Sequence, residues 1–180
     1  MSEKYKFHDP EGIYFTTSTV VFWIDLFTRP LYKHLIVDSL RFCQKEKGLV
    51  IHAWCLMPSH LHMIVSATKN DLSSIFADFK KHTAKQIIKL IESENESRKE
   101  WLLRGFSNAG KKLSKVSNYK VWQEGNHPIL LDNAKLINEK LNYIHMNPVE
   151  DETVDEPGFY WYSSARNYES KIGLLNVHLL

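Results

Sequence analysis

The sequence predicts an α+β fold, a ferredoxin-like α/β sandwich with helices packed on one face of an antiparallel sheet. Segments rich in Thr, Val, Tyr and Phe, or in unbroken apolar residues, read as strands. Longer segments repeat their apolar residues at helical spacing. They follow one another as β-α-β-β-α, then a less regular stretch, then β-α, the order of a split βαβ arrangement.

Gly12 to Phe22 reads as the first strand. Pro30 stands near the start of a helix reaching about Lys47, with Thr28 as a possible cap and Gly48 as its stop. Leu31, Leu35, Ile36, Leu40 and Phe42 or Cys43 mark its apolar side. Leu49 to Leu56 and Met63 to Ala67 form a strand pair joined at Pro58-Ser59. Asn70 or Asp71 caps a second helix through about Ser93, with Leu72, Ile75, Phe76, Phe79, Ile87 and Leu90 inward. Glu92 to Lys120 is the least regular stretch, with a helical patch at Trp101-Leu102-Leu103. Asn118 to Gln123 is the expected fourth strand. Asp132 or Asn133 caps a third helix carrying Leu136, Ile137, Leu141 and Ile144, which Pro148 is expected to end. Phe159 to Tyr162 packs back on the body, followed by a short helix and, at Asn176 to Leu180, a possible last strand.

The 180 residues suit one domain, with an acidic and aromatic tail from about residue 150. No apolar run approaches the roughly 20 residues that span a bilayer, so no membrane association is expected. Met1 to Gly12 is polar and mixed in charge, unlike a secretory signal. Cys43 and Cys55, without a CxxC spacing, fit a reduced cytoplasm better than a disulfide scaffold.

The most informative stretch is Met57-Pro58-Ser59-His60-Leu61-His62. Residues i and i+2 of a strand share a face, so His60 and His62 project together, half of a metal site. The plainer alternative is a pair of half-buried strand histidines. On the third helix Tyr143 and Asn147 are i and i+4 neighbours beside the apolar stripe. Asn147 offers a carbonyl oxygen and Tyr143 a phenol. A packed tyrosine and a C-cap asparagine explain the same pair.

Charge is segregated behind a net value of +2. Lys80, Lys81, Lys85 and Lys89 occur between Phe79 and Ile91 with no acid among them. Arg104, Lys111, Lys112, Lys115 and Lys120 do the same between Trp101 and Gln123. The acids gather at Glu150, Asp151, Glu152, Asp155 and Glu156. Such segregation suits a polyanion-binding face, and equally a solvated helix with a solvated loop.

These residues resemble a known family, the single-tyrosine HUH transposases, and within it the IS200-like, REP-associated tyrosine transposases. Met57-Pro58-Ser59-His60-Leu61-His62 is similar to the family's Met-Pro-Asn/Asp-His-hydrophobic-His. Tyr143-Ile144-His145-Met146-Asn147-Pro148-Val149 is close to its Tyr-Ile-His-x-Asn-Pro-Val. Tyr160-Trp161-Tyr162-Ser163-Ser164 resembles its Tyr-x-Trp-Ser-Ser, and Phe79-Lys80-Lys81 its basic second helix. The resemblance runs from about Gly12 to Tyr168. Ser59 and Tyr162 depart from the pattern. So does acidic Glu150 to Glu156, which stands where the family often has a basic stretch and weighs against DNA contacts there.

The resemblance implies an HUH-type nuclease fold with Tyr143 as nucleophile. It also implies a divalent metal, Mg²⁺ or Mn²⁺, on His60, His62 and Asn147. The expected partner is single-stranded or hairpin DNA, nicked to leave a 5′-phosphotyrosine and a free 3′-OH, by a monomer or a homodimer. Lys80, Lys81, Lys85, Arg104, Lys111 and Lys112 would track phosphates, and Trp122 or Tyr119 could stack on bases, although a core role suits Trp122 better. A phenol is protonated at neutral pH, so attack must shed that proton; a metal-bound water or His145 are the guesses for its acceptor. Rival readings are a silent hairpin-binding relative, a metal-dependent phosphoesterase, and an RNA-binding ferredoxin-like module.

Overall fold

β-Branched and aromatic residues from Tyr14 to Thr19 form β1, and the apolar runs Leu49–Leu56 and His60–Ala67 form β2 and β3. The computed structural model describes residues 7–68, 71–111 and 119–180. Ile129–Leu130 (β4) completes a four-stranded sheet in the order β2-β3-β1-β4, with every pair antiparallel. The expected fourth strand lies slightly upstream of β4. Asn118 falls outside the described residues, and Trp122 makes only an isolated bridge to Val20. The following chain still runs along β1, where Gln123 N–H donates to Thr19 O and Thr17 N–H to Asn126 O.

Pro30 opens helix α1 (Pro30–Lys47) from its first turn, where a missing N–H costs nothing. Gly48 closes it at φ 75°, a left-handed position that glycine takes without a Cβ clash. Thr28 does not cap it: Arg29 holds the cap position, without a side-chain bond. Asp71 caps α2 (Leu72–Ser93) by accepting from Ser74 N–H at 2.9 Å; Asn70 lies outside the described residues. The helical patch at Trp101 extends into α3 (Lys99–Gly110). Asn133 caps α4 (Ala134–Glu150) through Leu136 N–H at 2.9 Å. Pro148 does not end α4. It is buried in the last turn, where its missing N–H leaves Ile144 O without that bond, and the helix continues to Glu150.

Side chains alternate across the sheet. Leu61, Met63 and Val65 of β3, with Tyr14 and Trp54, meet apolar residues of α1, α2 and α3 in the larger core. Ile64, Phe15, Ala53 and Cys55 point the other way and meet Ile144 of α4. The helices therefore lie on both faces, a correction to the one-face expectation. A bulge at His52 shifts the register between Ile51 and Ala53 and lets β2 serve both cores.

The aromatic tail packs back on the body. Tyr160 Oη donates to Leu56 O at 2.8 Å, and Leu56 N–H and Ser164 N–H exchange bonds with Tyr162 O and Trp54 O. Unpaired groups of edge strand β2 are satisfied in this way. A short helix, α5 (Ala165–Tyr168), follows. Asn176 to Leu180 forms no strand, making a single backbone bond there, His178 N–H to Ile51 O. Both cysteines are buried and free. No helix among the described residues is long and apolar enough to cross a membrane.

Candidate active site

Helix α4 is seated on the sheet by Ile144 and Pro148, both buried and one turn apart. That seating turns Tyr143 and Asn147 toward β3. Four helical residues rise about 6 Å, and two strand residues advance about 6.6 Å. A helix lying along β3 can therefore set one side chain against each histidine. Tyr143 Oη is 3.4 Å from His62 Nε2, with ring centroids 5.1 Å apart. Burial holds His60 below the ordinary histidine range, against the opposing pull of Asn147 and Asp151 nearby. The two imidazole centroids are 4.6 Å apart.

The histidines are held from behind. Thr17 is the cross-strand partner of His62, and its Oγ1 is 2.9 Å from His62 Nδ1. Ser59 Oγ is 3.1 Å from His60 Nδ1. Phe15 stacks on His62 at 5.5 Å, and Trp23 meets His60 edge-on at 5.6 Å. Burial, with the neighbouring His60 and Lys140, pulls His62 down to about 3. Both rings are then neutral near pH 7, the form that ligates metals.

Lys140 lies one turn before Tyr143, its ammonium 5.8 Å from the centre of that ring and 5.5 Å from that of Phe15. Its spacing to Tyr143 was readable from the sequence. Thr17 was not, because its place opposite His62 depends on strand register. Tyr143 keeps 39% of its surface exposed, so a substrate can reach it.

Two imidazoles and a carboxamide oxygen form a donor set suited to a divalent ion such as Mn²⁺. Among the described residues no three His, Cys, Asp or Glu side chains gather as a metal cluster. His145 faces away from Tyr143. Its Nε2 is 2.9 Å from Ser164 Oγ, and burial holds it down at about 4. It ties α4 to the tail rather than serving as the tyrosine's base.

The basic residues separate into groups. Lys80 is half-buried, its ammonium bonded to the carbonyls of Gln123 and Gly125 and pulled down to about 8 by burial. Lys81 and Lys85 line a hollow between α1 and α2, behind the sheet from the histidines. Arg104 and Lys111 are exposed, on α3 and at its C-terminal end. Lys112 and Lys115 lie outside the described residues. Trp122 is a core residue, its Nε1–H donating to Thr83 Oγ1 at 2.9 Å, and Tyr119 packs against the same core.

The model of the IS200-like transposase family matches residues 24–145, a span that holds His60, His62 and Tyr143. The chain is similar in fold to the solved structure of a REP-associated tyrosine transposase bound to a REP hairpin. Identity is 18%, the match covers 100% of this chain and 94% of the other, and the TM-score is 0.61. No curated protein sequence matches the chain.

Proposed function

This chain belongs to the IS200-like transposase family, and on that footing we propose that it nicks and rejoins single-stranded DNA beside a hairpin. Tyr143 is the nucleophile, and His60, His62 and Asn147 hold a divalent ion, Mg²⁺ or Mn²⁺. The observation that carries this reading is the seating of Tyr143 against His62 beside the His60–His62 pair. The hairpin in the related solved structure supports the substrate class.

Tyr143 Oη attacks the phosphorus in line. The P–O3′ bond breaks, the phenol gives up its proton, and the departing oxygen takes one to become a 3′-OH. The product is a 5′-phosphotyrosine, which a 3′-OH can attack in turn, so joining needs no nucleotide cofactor. An ion held by His60, His62 and Asn147 would supply positive charge to offset that of the phosphate oxygens. Were His62 to hold the ion through Nε2, its Nδ1–H would donate a hydrogen bond to Thr17 Oγ1, which would fix the ring. Lys140 sets a second positive charge beside the phenol as it loses its proton.

Wild type incubated with Mn²⁺ and a hairpin-flanked single strand, labelled 3′ of the nick, should give a denaturant-resistant protein–DNA adduct. Tyr143→Phe should give none while keeping the fold and DNA affinity. Cleavage by wild type without any adduct would replace this reading with a phosphoesterase. Hairpin binding with neither cleavage nor adduct would replace it with a binding-only protein.

A further inference from the structure

Beyond His60 the surface opens into a groove of about 730 Å³ between the Val21–Trp23 turn and α3. Phe22 and Trp23 are 61% and 60% exposed, and Trp101 faces them across the groove at 56%. Three large aromatics left in water together are unlike scattered surface apolar residues. Phe22 and Trp23 also take left-handed backbone, φ 58° and 55°. Bulky side chains pay for that conformation, and such strain gathers at binding sites.

The opposite wall is one face of α3, Trp101, Arg104, Gly105 and Asn108 at helical spacing. Gly105 admits Ile24 of the turn: a Cβ there would stand 3.2 Å from Ile24 Cδ1. Arg104 is exposed and makes no hydrogen bond or ion pair among the described residues. Arg98 lines the floor and is anchored to Glu96 and to Asp25 O, yet its Nη2 has no hydrogen-bond partner. Asp25 is the acid in the lining, and Glu96 already neutralises Arg98, which leaves Arg104 as the cation turned to the groove. Trp23 joins the groove to the catalytic side because its ring meets His60 at 5.6 Å.

We propose that this groove seats the unpaired bases next to the scissile phosphate, with Trp23 and Trp101 stacking on bases and Arg104 meeting their phosphates. Exposed aromatic faces beside a cation such as Arg104 recognise single-stranded nucleic acid, whose bases each present a π-face. This rests on the reading of the chain as a single-strand nuclease, and it assigns base binding to residues outside the His60, His62, Tyr143 and Asn147 set.

The test uses full-length protein carrying Tyr143→Phe, in EDTA, so that binding is read without cleavage. The probes are fluorescein-labelled dT12 and a blunt DNA hairpin of equal nucleotide number. Trp23→Ala with Trp101→Ala should weaken dT12 binding by about tenfold or more, the scale of lost base stacking, and leave the hairpin unchanged. Tryptophan fluorescence quenched by dT12 should lose most of that response. Trp23→Phe should restore much of the affinity because it keeps a ring. Arg104→Glu, at an exposed position without a partner among the described residues, gives the same discrimination if the tryptophan variants fold poorly. Unchanged dT12 affinity, or equal loss on both probes, overturns the proposal alone. Failure of the parent protein to bind either DNA overturns the nuclease reading with it. A concentration-dependent dimer abolished by Trp101→Ala would assign the groove to a second copy and overturn the assignment to bases.

Discussion

The two faces of the central sheet are built for different purposes from the same strands. On one face Leu61, Met63 and Val65 meet three helices in a continuous apolar core that holds Trp54, Tyr32, Phe27 and Phe76 almost fully out of water. On the other, Ile64 meets a single helix, and the core runs out toward His62, His60 and solvent. Leu61 sits between the two histidines in sequence and on the opposite side of the sheet from both. The thick face supplies rigidity, and the thin face leaves room for a substrate beside side chains that strand geometry has already aligned.

Substitutions at Leu61 should sharpen that contrast most. Leu61→Ala removes a fully buried side chain and is expected to cost about 3 kcal/mol. Urea denaturation should show that loss while Mn²⁺ binding by the folded fraction stays unchanged. Loss of Mn²⁺ binding with no loss of stability would mean the two faces are not separable.

Glu96 buttresses the thick-face helices from their far side. It is buried and meets Tyr32 Oη at 2.9 Å, Arg29 at 3.1 Å and Arg98 at 3.3 Å. Burial pushes its carboxyl up, but the Arg98 N–H, the Tyr32 hydroxyl and the two guanidinium groups outweigh that and hold it down at about 2. A depressed carboxyl contributes stability above its unfolded value, near 4.5. That contribution of about 3 kcal/mol should fade as pH falls from there toward 2. Glu96→Ala, which strands Arg98 and Arg29, should cost about 3 kcal/mol at pH 7 and flatten this acid limb in thermal melts. An unchanged limb would remove Glu96 as its cause.

The smallest change should have the most selective effect. Ile144→Val trims the residue that seats α4 and should cost about 1 kcal/mol. Adduct yield should fall more than that stability loss explains, because Tyr143 and Asn147 depend on this seat. Equal yields by gel assay would show that the helix position is fixed elsewhere.

Strand and helix order were legible because hydrophobic period and caps are local signals. Gly48, Asp71 and Asn133 stop or start their helices where turn and cap chemistry says they should. The pairs His60/His62 and Tyr143/Asn147 were also legible, since each lies within one element. Their meeting was not, because it depends on which face α4 covers. Ile144 would pack equally well on either side as far as spacing shows. Pro148 misled because a buried proline can be carried within a helix when tertiary packing holds it there. Lys80 read as a surface cation, since only the fold brings the Gln123 and Gly125 carbonyls to its ammonium. The Trp23 groove escaped notice because it joins residues about eighty positions apart in the chain.

The proposed function requires that β3 and α4 together make one metal site on the thin face. Electron paramagnetic resonance of a Mn²⁺ titration tests it directly. Wild type should bind one ion with nitrogen couplings from two imidazoles. Asn147→Ala should weaken that binding by about tenfold, as loss of one ligand from a carboxamide–imidazole set would. His60→Ala with His62→Ala should abolish it, with the thermal melt little changed. Equal Mn²⁺ binding by wild type and the double histidine variant would contradict the claim.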